Sequence, residues 1–591
     1  MPSLDVEQLI NPDKLACAIG DKWTAWHNST KEKQWQELRN YVFATDTTTT
    51  TNAKLPWKNK TTRPKLCQIR DNLHANYMSA LFPNDRWFKW EAKTLEDADV
   101  AKAKSVRAYL SSKMRDHKFK EIVSRLVYDY IDYGNCFVEA EYVAEADNNY
   151  TGPRPVRVSP LDIRFDLSAK SFEATPKIIR TLVSLADLQS KIQTDPVFAG
   201  FDKTVLDRIV ANRQHVAGSN FNTSDLSKSA AFVADGFKSL TDYYGSGLVE
   251  ILEFEGDIFD VQSGAIYKAH VVHVVDRAYI ASKQPISSIS GRSAKFHCGW
   301  RLRPDNLMAM GPLDNLVGMQ YRIDHLENLR ADTFDLIANP PLKVKGYVEP
   351  FTWGPGEHIF LEQDADVTSL VPDTTVLNAD TQIRDLEFQM EEMAGAPREA
   401  AGFRTPGEKT AFEVQALQSA ANRIFLHKIG YFEEHFLEPL LNAMLELARE
   451  NMDAAESVAI LDPDYNAQSF QTVSVEDLKA RGKLVPMGAR QFASQAQLIQ
   501  NLSGLAGTGL YQDPAINVHF SGYKLAKLIE ENIGLAEYGV VSPNARLLEQ
   551  TETQKLAQTA QESTVEHGLI DPAPAEEFED DAGTETVDPG A

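Results

Sequence analysis

The stretch most like a nucleotide-binding loop is Gly402–Thr410, which reads Gly-Phe-Arg-Thr-Pro-Gly-Glu-Lys-Thr. A phosphate-binding loop requires the spacing GxxxxGK[ST], because its backbone N–H groups wrap the phosphate and its lysine reaches it. Here Glu408 stands between the glycine and Lys409 and places negative charge where phosphate would bind. No apolar run typical of a buried strand precedes it. We therefore interpret this stretch as a loop leading into a helix.

Other sequences that could perform chemistry are also incomplete. Gly245-Ser246-Gly247 lacks the third glycine of a dinucleotide fingerprint, since Glu250 occupies its position. His297 and Cys298 are adjacent, but no second pair of such residues stands at a metal-binding spacing. Carboxylates are so common that no acid–base pair can be singled out, and there is no GxSxG motif. We predict no catalytic residue, no metal site and no cofactor.

Charge and composition limit the partners of the chain. Its 591 residues include 84 Asp and Glu against 60 Lys and Arg, a formal net charge of −24. This charge argues against tight DNA binding, but it is compatible with guiding DNA past a surface. No apolar run approaches the roughly 20 residues that span a membrane, and the N-terminus lacks the regions of a signal peptide. The four cysteines are far apart, which indicates folding in a reducing cytoplasm.

The elements that would position any such residue are organised around Gly311–Thr410. A helical pattern runs from about 313 to Ala338, with Pro312 placed in the first turn. Asn339-Pro340-Pro341 ends it, because proline disfavours helix in the residue before it. Apolar residues recur at three- and four-residue steps and form a seam that we expect to need a partner: Leu316, Met319, Ile323 and Leu326. Acidic residues keep one side charged: Asp324, Glu327, Asp332 and Asp335.

A small insertion and a returning helix follow. Residues 342–377 carry prolines, glycines and two short apolar runs, Leu342–Val344 and Ile359–Leu361, which predict strands and turns. Asp380–Ala394 predicts the returning helix. After a loop ending at Lys409, Thr410 and Glu413 fit a capping box. The helix that they begin extends to about Asn451, with a kink or break near His435–Pro439 because of the proline.

The remaining chain mixes helices and strands. One N-terminal helix over 14–45 carries Trp23, Trp26 and Trp35, and the threonine run Thr47–Thr51 predicts an exposed loop. Further helices are predicted at 65–82, 95–115, 119–134, 488–503, 521–533 and 543–560. Strands are predicted at 87–91, 136–143, 156–165, 248–259 and 269–280. Asp571–Ala591 has eight acidic residues and no basic one, which predicts disorder.

An ordered set of short motifs carries a resemblance over roughly residues 60–560. The motifs are Gly311-Pro312-Leu313-Asp314-Asn315, Arg322-Ile323-Asp324-His325-Leu326-Glu327-Asn328, Asn339-Pro340-Pro341-Leu342, Gly407-Glu408-Lys409-Thr410-Ala411 and Val485-Pro486-Met487-Gly488-Ala489. None is chemically diagnostic alone. In this order, the set resembles the portal proteins, or head–tail connectors, of short-tailed bacteriophages.

The resemblance implies an α+β, mainly helical portal fold, assembled as a ring with a central channel. Its parts would be a wing (1–300), a first stem helix (301–338) and a clip (339–377). A second stem helix (378–395), a tunnel loop (396–409) and a kinked long helix with the rest of the wing (410–486) would follow. A crown (487–560) and a disordered acidic tail (561–591) would complete the chain. Portal relatives imply a dodecamer.

The implied function is that of a non-enzymatic portal in the virion, at the capsid vertex and head–tail junction, made in the host bacterial cytoplasm. Double-stranded DNA would be packaged and ejected through it. Its partners would be other copies of the chain, a tail adaptor, the terminase packaging motor, the major capsid protein and the passing DNA, with no membrane.

Specific residues follow from the portal interpretation. The tunnel loop would present Arg398, Arg404 and Lys409 to DNA, with Arg404 the best candidate. The clip would contact the adaptor through Tyr347, Glu349, Phe351, Trp353 and Glu357. The channel wall would be mostly acidic, partly because of the first stem helix. Two alternatives stay open: an enzyme of the packaging machinery that acts on nucleic acid, and a capsid or scaffold protein.

Overall fold

A computed structural model describes most of residues 3–488, and residue 523. The residues outside the described part are 1–2, 8, 10, 84–86, 94–101, 146–149, 195–199, 217–238, 240–241, 243–244, 246, 287–288, 352–357, 396–424, 453–454, 463–466, 489–522 and 524–591. The chain divides into two compact units, Met1–Leu461 with Gln468–Ser494, and Asp462–Ala467 with Gln495–Ala591. Nearly all of the second unit lies outside the described part, and so do the predicted crown helices and the acidic tail.

The described part is a mixed α and β structure. Of its residues, 46% are helical and 27% lie in strands, so the prediction of a mainly helical chain is not confirmed. Its helices are α1 (Pro12–Ala25), α2 (Ser29–Val42), α3 (Lys65–Leu81), α4 (Ala103–Asp116), α5 (Phe119–Asp132), α6 (Leu185–Thr194), α7 (Lys203–Val216), α8 (Val317–Ala338), α9 (Ala379–Ala394), α10 (Glu438–Asn451) and α11 (Val475–Leu478).

The strands form several small sheets. They are β1 (Leu4–Val6), β2 (Phe88–Ala92), β3 (Asn135–Glu145), β4 (Tyr150–Val158), β5 (Ile163–Phe165), β6 (Lys177–Ser184), β7 (Leu248–Asp260), β8 (Ile266–Val275), β9 (Tyr279–Pro285), β10 (Lys295–Gly299), β11 (Arg301–Arg303), β12 (Asn306–Met310), β13 (Leu342–Lys345), β14 (Asp366–Ser369), β15 (Glu456–Asp462), β16 (Ala467–Val473) and β17 (Gly482–Pro486). The largest sheet has the order β5-β6-β7-β8-β9, and β1 pairs in parallel with the end of β7. A second sheet has the order β10-β3-β4, and four strand pairs complete the set: β11–β12, β13–β14, β15–β16 and β17–β2.

The largest core lies where α3, α5 and α10 meet the inner sides of α8 and α9. Its members include Ile69 on α3, Leu126 on α5 and Leu441 on α10, all essentially inaccessible to solvent. Ile323 of α8 and Met390 of α9 belong to the same cluster. The predicted helices 65–82 and 119–134 are confirmed as α3 and α5, because their apolar residues recur at helical spacing and bury one face. The two central helices are therefore held by the main core.

The N-terminal helix predicted over 14–45 is wrong in one respect, because it is two helices. α1 ends at Ala25, and α2 begins at Ser29 after Asn28, whose side chain accepts the Lys31 N–H. An asparagine that caps a new helix satisfies an N–H group that would otherwise be unpaired, and so favours the break. Trp23 and Trp35 are buried, in agreement with core packing.

The threonine run is only partly the exposed loop that its composition predicts, because Thr48, Thr49 and Thr51 are exposed but the run is folded into turns. Thr47–Thr49 and Thr51–Lys54 are two short 3₁₀ turns. Thr47 and Thr50 are buried, and the Thr50 hydroxyl donates to the Thr47 carbonyl at 3.1 Å. A threonine hydroxyl that bonds nearby backbone can enter the interior without losing its hydrogen bond.

The long helix near the end of the described part is interrupted where its proline predicts. Residues 425–432 are helical, Glu433–Leu437 form one π-helical turn, and α10 continues from Glu438. Pro439 has no N–H to give the carbonyl four residues earlier, so the regular pattern cannot continue there. The interruption is confirmed, and it takes the form of a wider turn instead of a break.

Candidate subunit-contact surface

α8 and α9 form a helical hairpin that carries the candidate surface. α8 ends at Ala338 before the two prolines, as predicted. α9 spans Ala379–Ala394 and ends at Gly395, which adopts the left-handed conformation (φ 73°) that favours glycine. The predicted start of α8 is wrong, because the helix begins at Val317 and Pro312 precedes it. Asp314 instead closes a turn, accepting the Gly311 N–H at 3.1 Å and Lys31 Nζ at 2.7 Å.

The predicted apolar seam of α8 faces the interior of the same chain. Leu316 and Ile323 are fully buried, and Leu326 is 7% exposed. Met319 is partly buried and packs on the same core. The reasoning that these four side chains need a neighbouring subunit is therefore wrong, because the chain itself already buries them.

A second face of α8 is polar and is held in place by hydrogen bonds. Gln320, Asp324, Asn328 and Asp332 recur every four residues, so they lie on one face of the helix. This face binds the segment at 58–66, which we call the strap; residues 58–64 lie in no helix or strand, and Lys65 and Leu66 begin α3. The strap is basic, with Lys58, Lys60, Arg63 and Lys65 and no acidic residue.

A regular set of hydrogen bonds, which we call the ladder, joins the strap to α8. Each helix residue accepts at least one backbone N–H of the strap: Leu66 to Gln320 (3.3 Å), Arg63 to Asp324 (3.0 Å), Thr61 to Asn328 (2.8 Å) and Asn59 to Asp332 (2.9 Å). Two side-chain amides also donate to strap carbonyls: Gln320 to Arg63 (2.6 Å) and Asn328 to Thr61 (2.7 Å). The strap therefore runs antiparallel to α8 with much of its backbone paired.

The ladder corrects the interpretation of the acidic side of α8. Asp324 and Asp332 bind the strap, and Asp335 accepts Asn59 Nδ2 at 3.0 Å. Glu327 pairs with Arg330 at 2.7 Å. These carboxylates therefore bind within the chain, and the acidic-wall prediction loses the support that it took from them.

Asp324 is a buried carboxyl group whose environment changes its titration. Its side chain accepts hydrogen bonds from the Arg63 N–H, the Thr62 hydroxyl and the Gln320 amide. Burial nevertheless raises the pKa of Asp324 to about 6, because desolvation of the charged form outweighs these donors.

Charged pairs connect the strap to α9 as well. Lys65 and Glu391 form a buried ion pair, and Arg63 Nε lies 3.5 Å from Glu387. Near the other end of the hairpin, Arg330 of α8 pairs with Asp380 of α9. The hairpin is therefore fastened along its length, which makes its outer surface part of a rigid element.

The outer surface of the hairpin and its tip is unusually apolar. Among the described residues, 19 large hydrophobic side chains are exposed, and 12 of these lie between residues 321 and 393. On the helices they are Tyr321, Leu329, Phe334, Leu336, Phe388 and Met393; on the tip they are Val344, Tyr347, Phe360, Leu361, Leu370 and Val371. Such concentration on one part of a chain is typical of a surface that another protein covers.

The tip between the helices is a two-stranded sheet. β13 pairs antiparallel with β14, so the predicted strand at Leu342–Val344 is confirmed. A strand at Ile359–Leu361 is wrong, because only an isolated bridge joins Leu361 to Val348. Of the predicted adaptor contacts, Tyr347 is 69% exposed, Glu349 is exposed and Phe351 is half-buried. Trp353 and Glu357 lie outside the described residues.

The predicted DNA-facing residues Arg398, Arg404 and Lys409 lie outside the described residues, as does the whole loop at 396–409. The same applies to the P-loop-like stretch and to the predicted cap at Thr410. These predictions stay predictions.

His297 and Cys298 have internal surroundings. The His297 ring stacks on Phe137, with 4.7 Å between ring centroids, and its Nε2 lies 3.0 Å from Asn135 Oδ1. Burial lowers the pKa of His297 to about 3. Cys298 lies opposite Cys136 in the pairing of β10 with β3. Across the described ranges, no group of three potential metal ligands occurs.

Sequence reasoning missed both the strap and the neutral members of the ladder. The residue types of Gln320 and Asn328 alone indicate no role. Only their four-residue recurrence with Asp324 and Asp332 could have indicated a common face. The strap is about 260 residues away along the chain, so nothing local indicates it.

Comparisons with known proteins give no family. No protein-family model matches the chain, and no curated protein matches it. No helix within the described ranges is long and apolar enough to cross a membrane.

Proposed function

We propose that this chain is the subunit of a portal ring through which double-stranded DNA enters and leaves a phage capsid. The observation that carries the proposal is the concentration of exposed apolar side chains on the hairpin and its tip. The resemblance of the ordered motifs to portal proteins supports it, and it supplies the finer fold of wing, stem, clip and crown.

A ring explains why a rigid hairpin keeps apolar residues exposed. The ladder and the ion pairs fix the hairpin, so these side chains cannot be buried by a local rearrangement. Head-to-tail contact between identical subunits covers one surface of each copy with another surface of the next. If the rotation closes, every copy is covered, and portal relatives imply closure at twelve subunits.

The ring is tested with the purified full-length chain. Native mass spectrometry and negative-stain images at micromolar concentration and moderate salt are expected to show closed rings with an open centre. Monomers alone, shells or filaments would contradict the proposal. Shells or filaments would favour a capsid or scaffold protein, and ATPase or nuclease activity would favour an enzyme of the packaging machinery.

The tip is proposed as the contact for the tail adaptor and, before it, for the terminase motor. A two-stranded sheet is marginally stable alone, and the exposed side chains at Val344, Tyr347 and Phe360 favour a partner. Residues 339–377 hold six acidic and two basic residues, so a basic partner surface is expected. Replacement of 347–357 by a Gly-Ser linker is expected to preserve rings and abolish adaptor binding. Normal adaptor binding would contradict this role.

The loop at 396–409 is proposed to contact the passing DNA transiently. Its cations Arg398, Arg404 and Lys409 are nearly balanced by Glu399 and Glu408. Arg404→Ala is expected to leave ring assembly intact and to reduce packaging or retention of DNA in assembled heads. Complete packaging by the variant would contradict a DNA role, and loss of rings would indicate a contact between subunits instead.

A further inference from the structure

The outward side of α8 carries a narrow stripe. Gly318, Arg322, Leu329 and Leu336 are all exposed, and at 100° per residue they lie within about 40° of one another around the helix. Arg322 has no ion-pair partner among the described residues. This stripe, which we call the basic stripe, is apolar with one unpaired positive charge.

The outward side of α9 carries a stripe of opposite charge. Thr381, Asp385, Phe388 and Glu392 are exposed and lie within about 60° of one another. Neither Asp385 nor Glu392 has an ion-pair partner in the described part of the chain. Arg384 lies at the edge of this acidic stripe, so the stripe keeps a net negative charge.

Contacts at both ends of the hairpin fix the relative height of the two stripes. Arg330 pairs with Asp380 near the tip. At the other end, Leu66 bonds Gln320, while its neighbour Lys65 pairs with Glu391. The helices are therefore antiparallel, and a step forward along α8 corresponds to a step backward along α9. Arg322, eight residues before Arg330, lies level with Phe388, eight residues after Asp380.

Cyclic symmetry places every subunit at the same height. We propose that the basic stripe of one subunit packs on the acidic stripe of the next, with Arg322 lying over Phe388 between Asp385 and Glu392. These two carboxylates lie about 4.5 and 6 Å along the axis on either side of Phe388, at 1.5 Å per residue. This inference rests on the proposed ring and specifies which surfaces form its contact. In this contact the Arg322 guanidinium packs on the aromatic ring of Phe388 and pairs with the two carboxylates. Leu329 and Phe388 lose contact with solvent.

The test is charge reversal with rescue in the full-length chain, followed by analytical ultracentrifugation over a concentration series. Arg322→Glu is expected to raise the concentration for half-assembly at least tenfold. Adding Asp385→Arg and Glu392→Arg to that variant is expected to restore assembly. Arg303→Glu, at an exposed arginine outside the hairpin, is the matched control and is expected to assemble as the unmodified chain does. Unchanged thermal melting establishes that each variant is folded.

The outcomes separate the inference from the ring itself. If the unmodified chain forms no rings, the proposed function and the stripe contact both fail. If it forms rings and Arg322→Glu assembles equally well, the ring stands and the stripe contact is overturned. Failure of the rescue variant, with its melting unchanged, also overturns the stripe contact. Rescue that yields dimers only would support the stripe contact and contradict the ring.

Discussion

Two faces of α8 differ in both polarity and exposure: one is polar and buried, and the other is apolar and exposed. The ladder face is built from Gln320, Asp324 and Asn328, which are polar and buried. The basic stripe carries Leu329 and Leu336, which are apolar and exposed. The polar face is buried because the strap supplies a hydrogen-bond partner at nearly every step, which offsets much of its desolvation and leaves a residual cost at Asp324. The difference shows that the polarity of a helix face does not by itself decide its exposure: a polar face is buried where the chain supplies hydrogen-bond partners, and an apolar face is exposed where the described chain supplies no covering element.

Loss of one step of the ladder is expected to have the largest effect. Asn328→Ala removes the acceptor of the Thr61 N–H and the donor to the Thr61 carbonyl, so two part-buried hydrogen bonds are lost and the buried space of the Asn328 side chain is left empty. We expect a loss of about 3 kcal/mol in the free energy of unfolding. Hydrogen exchange should become at least tenfold faster in peptides that cover residues 58–66. Asn315→Ala, at an exposed position before the helix, is the control; equal exchange in both variants would contradict the ladder.

Asp324 provides a pH-dependent test of the same face. Its folded-state pKa of about 6 lies above the ordinary value of 3.8, so the folded state binds the proton more tightly. The stability contributed by this proton is present below about pH 4 and is lost as the pH rises to about 6. Asp324→Asn mimics the protonated group and removes this dependence. We expect the unfolding free energy of the unmodified chain, minus that of the variant, to fall by about 2 kcal/mol between pH 4 and pH 7. A difference that stays constant between pH 4 and pH 7 would contradict the raised pKa of Asp324.

Asp332 is expected to respond with a smaller loss of stability. Its two oxygens accept the Lys58 and Asn59 N–H groups at 3.1 and 2.9 Å. Asp332→Asn leaves one of these donors without an acceptor, but this end of the strap is partly exposed and water can replace the bond. We expect a loss of about 1 kcal/mol in chemical denaturation at pH 7. A loss of stability as large as that of Asn328→Ala would show that the hydrogen bonds of the ladder do not act independently.

A substitution in the basic stripe is expected to have the smallest effect on the stability of the monomer. Leu329→Ser replaces a side chain that is 36% exposed, so the unfolding free energy should change by less than about 1 kcal/mol when measured below the assembly concentration. Association should nevertheless weaken. Ile323→Ala, six residues earlier and fully buried, should cost about 3 kcal/mol. Similar losses in the two variants would show that the stripe is covered within the chain.

The sequence predicted the elements that depend on neighbouring residues. The two prolines after Asn339 ended α8, helical spacing defined α3 and α5, and Pro439 located the interruption before α10. It did not predict the break at Asn28, where a single cap outweighed a continuous helical pattern. It also missed β14, because Asp366–Ser369 has only two residues of high β propensity, Val367 and Thr368, and the strand depends on pairing with β13.

The candidate surface was predicted only in its location. The hairpin and tip were identified, but the seam at Leu316, Ile323 and Leu326 was assigned to a neighbour and instead lies inside the chain. Helical periodicity shows that a face is apolar, and it does not show which partner covers it. Neither Arg322 nor Phe388 was predicted as a contact residue, because their significance depends on exposure and on the alignment of two helices, which only the folded chain defines.

The position of the strap along the chain has a consequence for synthesis. Its backbone N–H groups bond side chains of α8 that lie 254 to 274 residues later. At about 5–20 residues per second, roughly 13 to 55 seconds separate the emergence of the strap from that of α8. During this interval the backbone N–H groups of the strap have no ladder to bind, and the side chains of Arg63 and Lys65 lack the carboxylates of α9 that pair with them in the folded chain. The emergence of α8 therefore completes the ladder, and the emergence of α9 then neutralises these two cations.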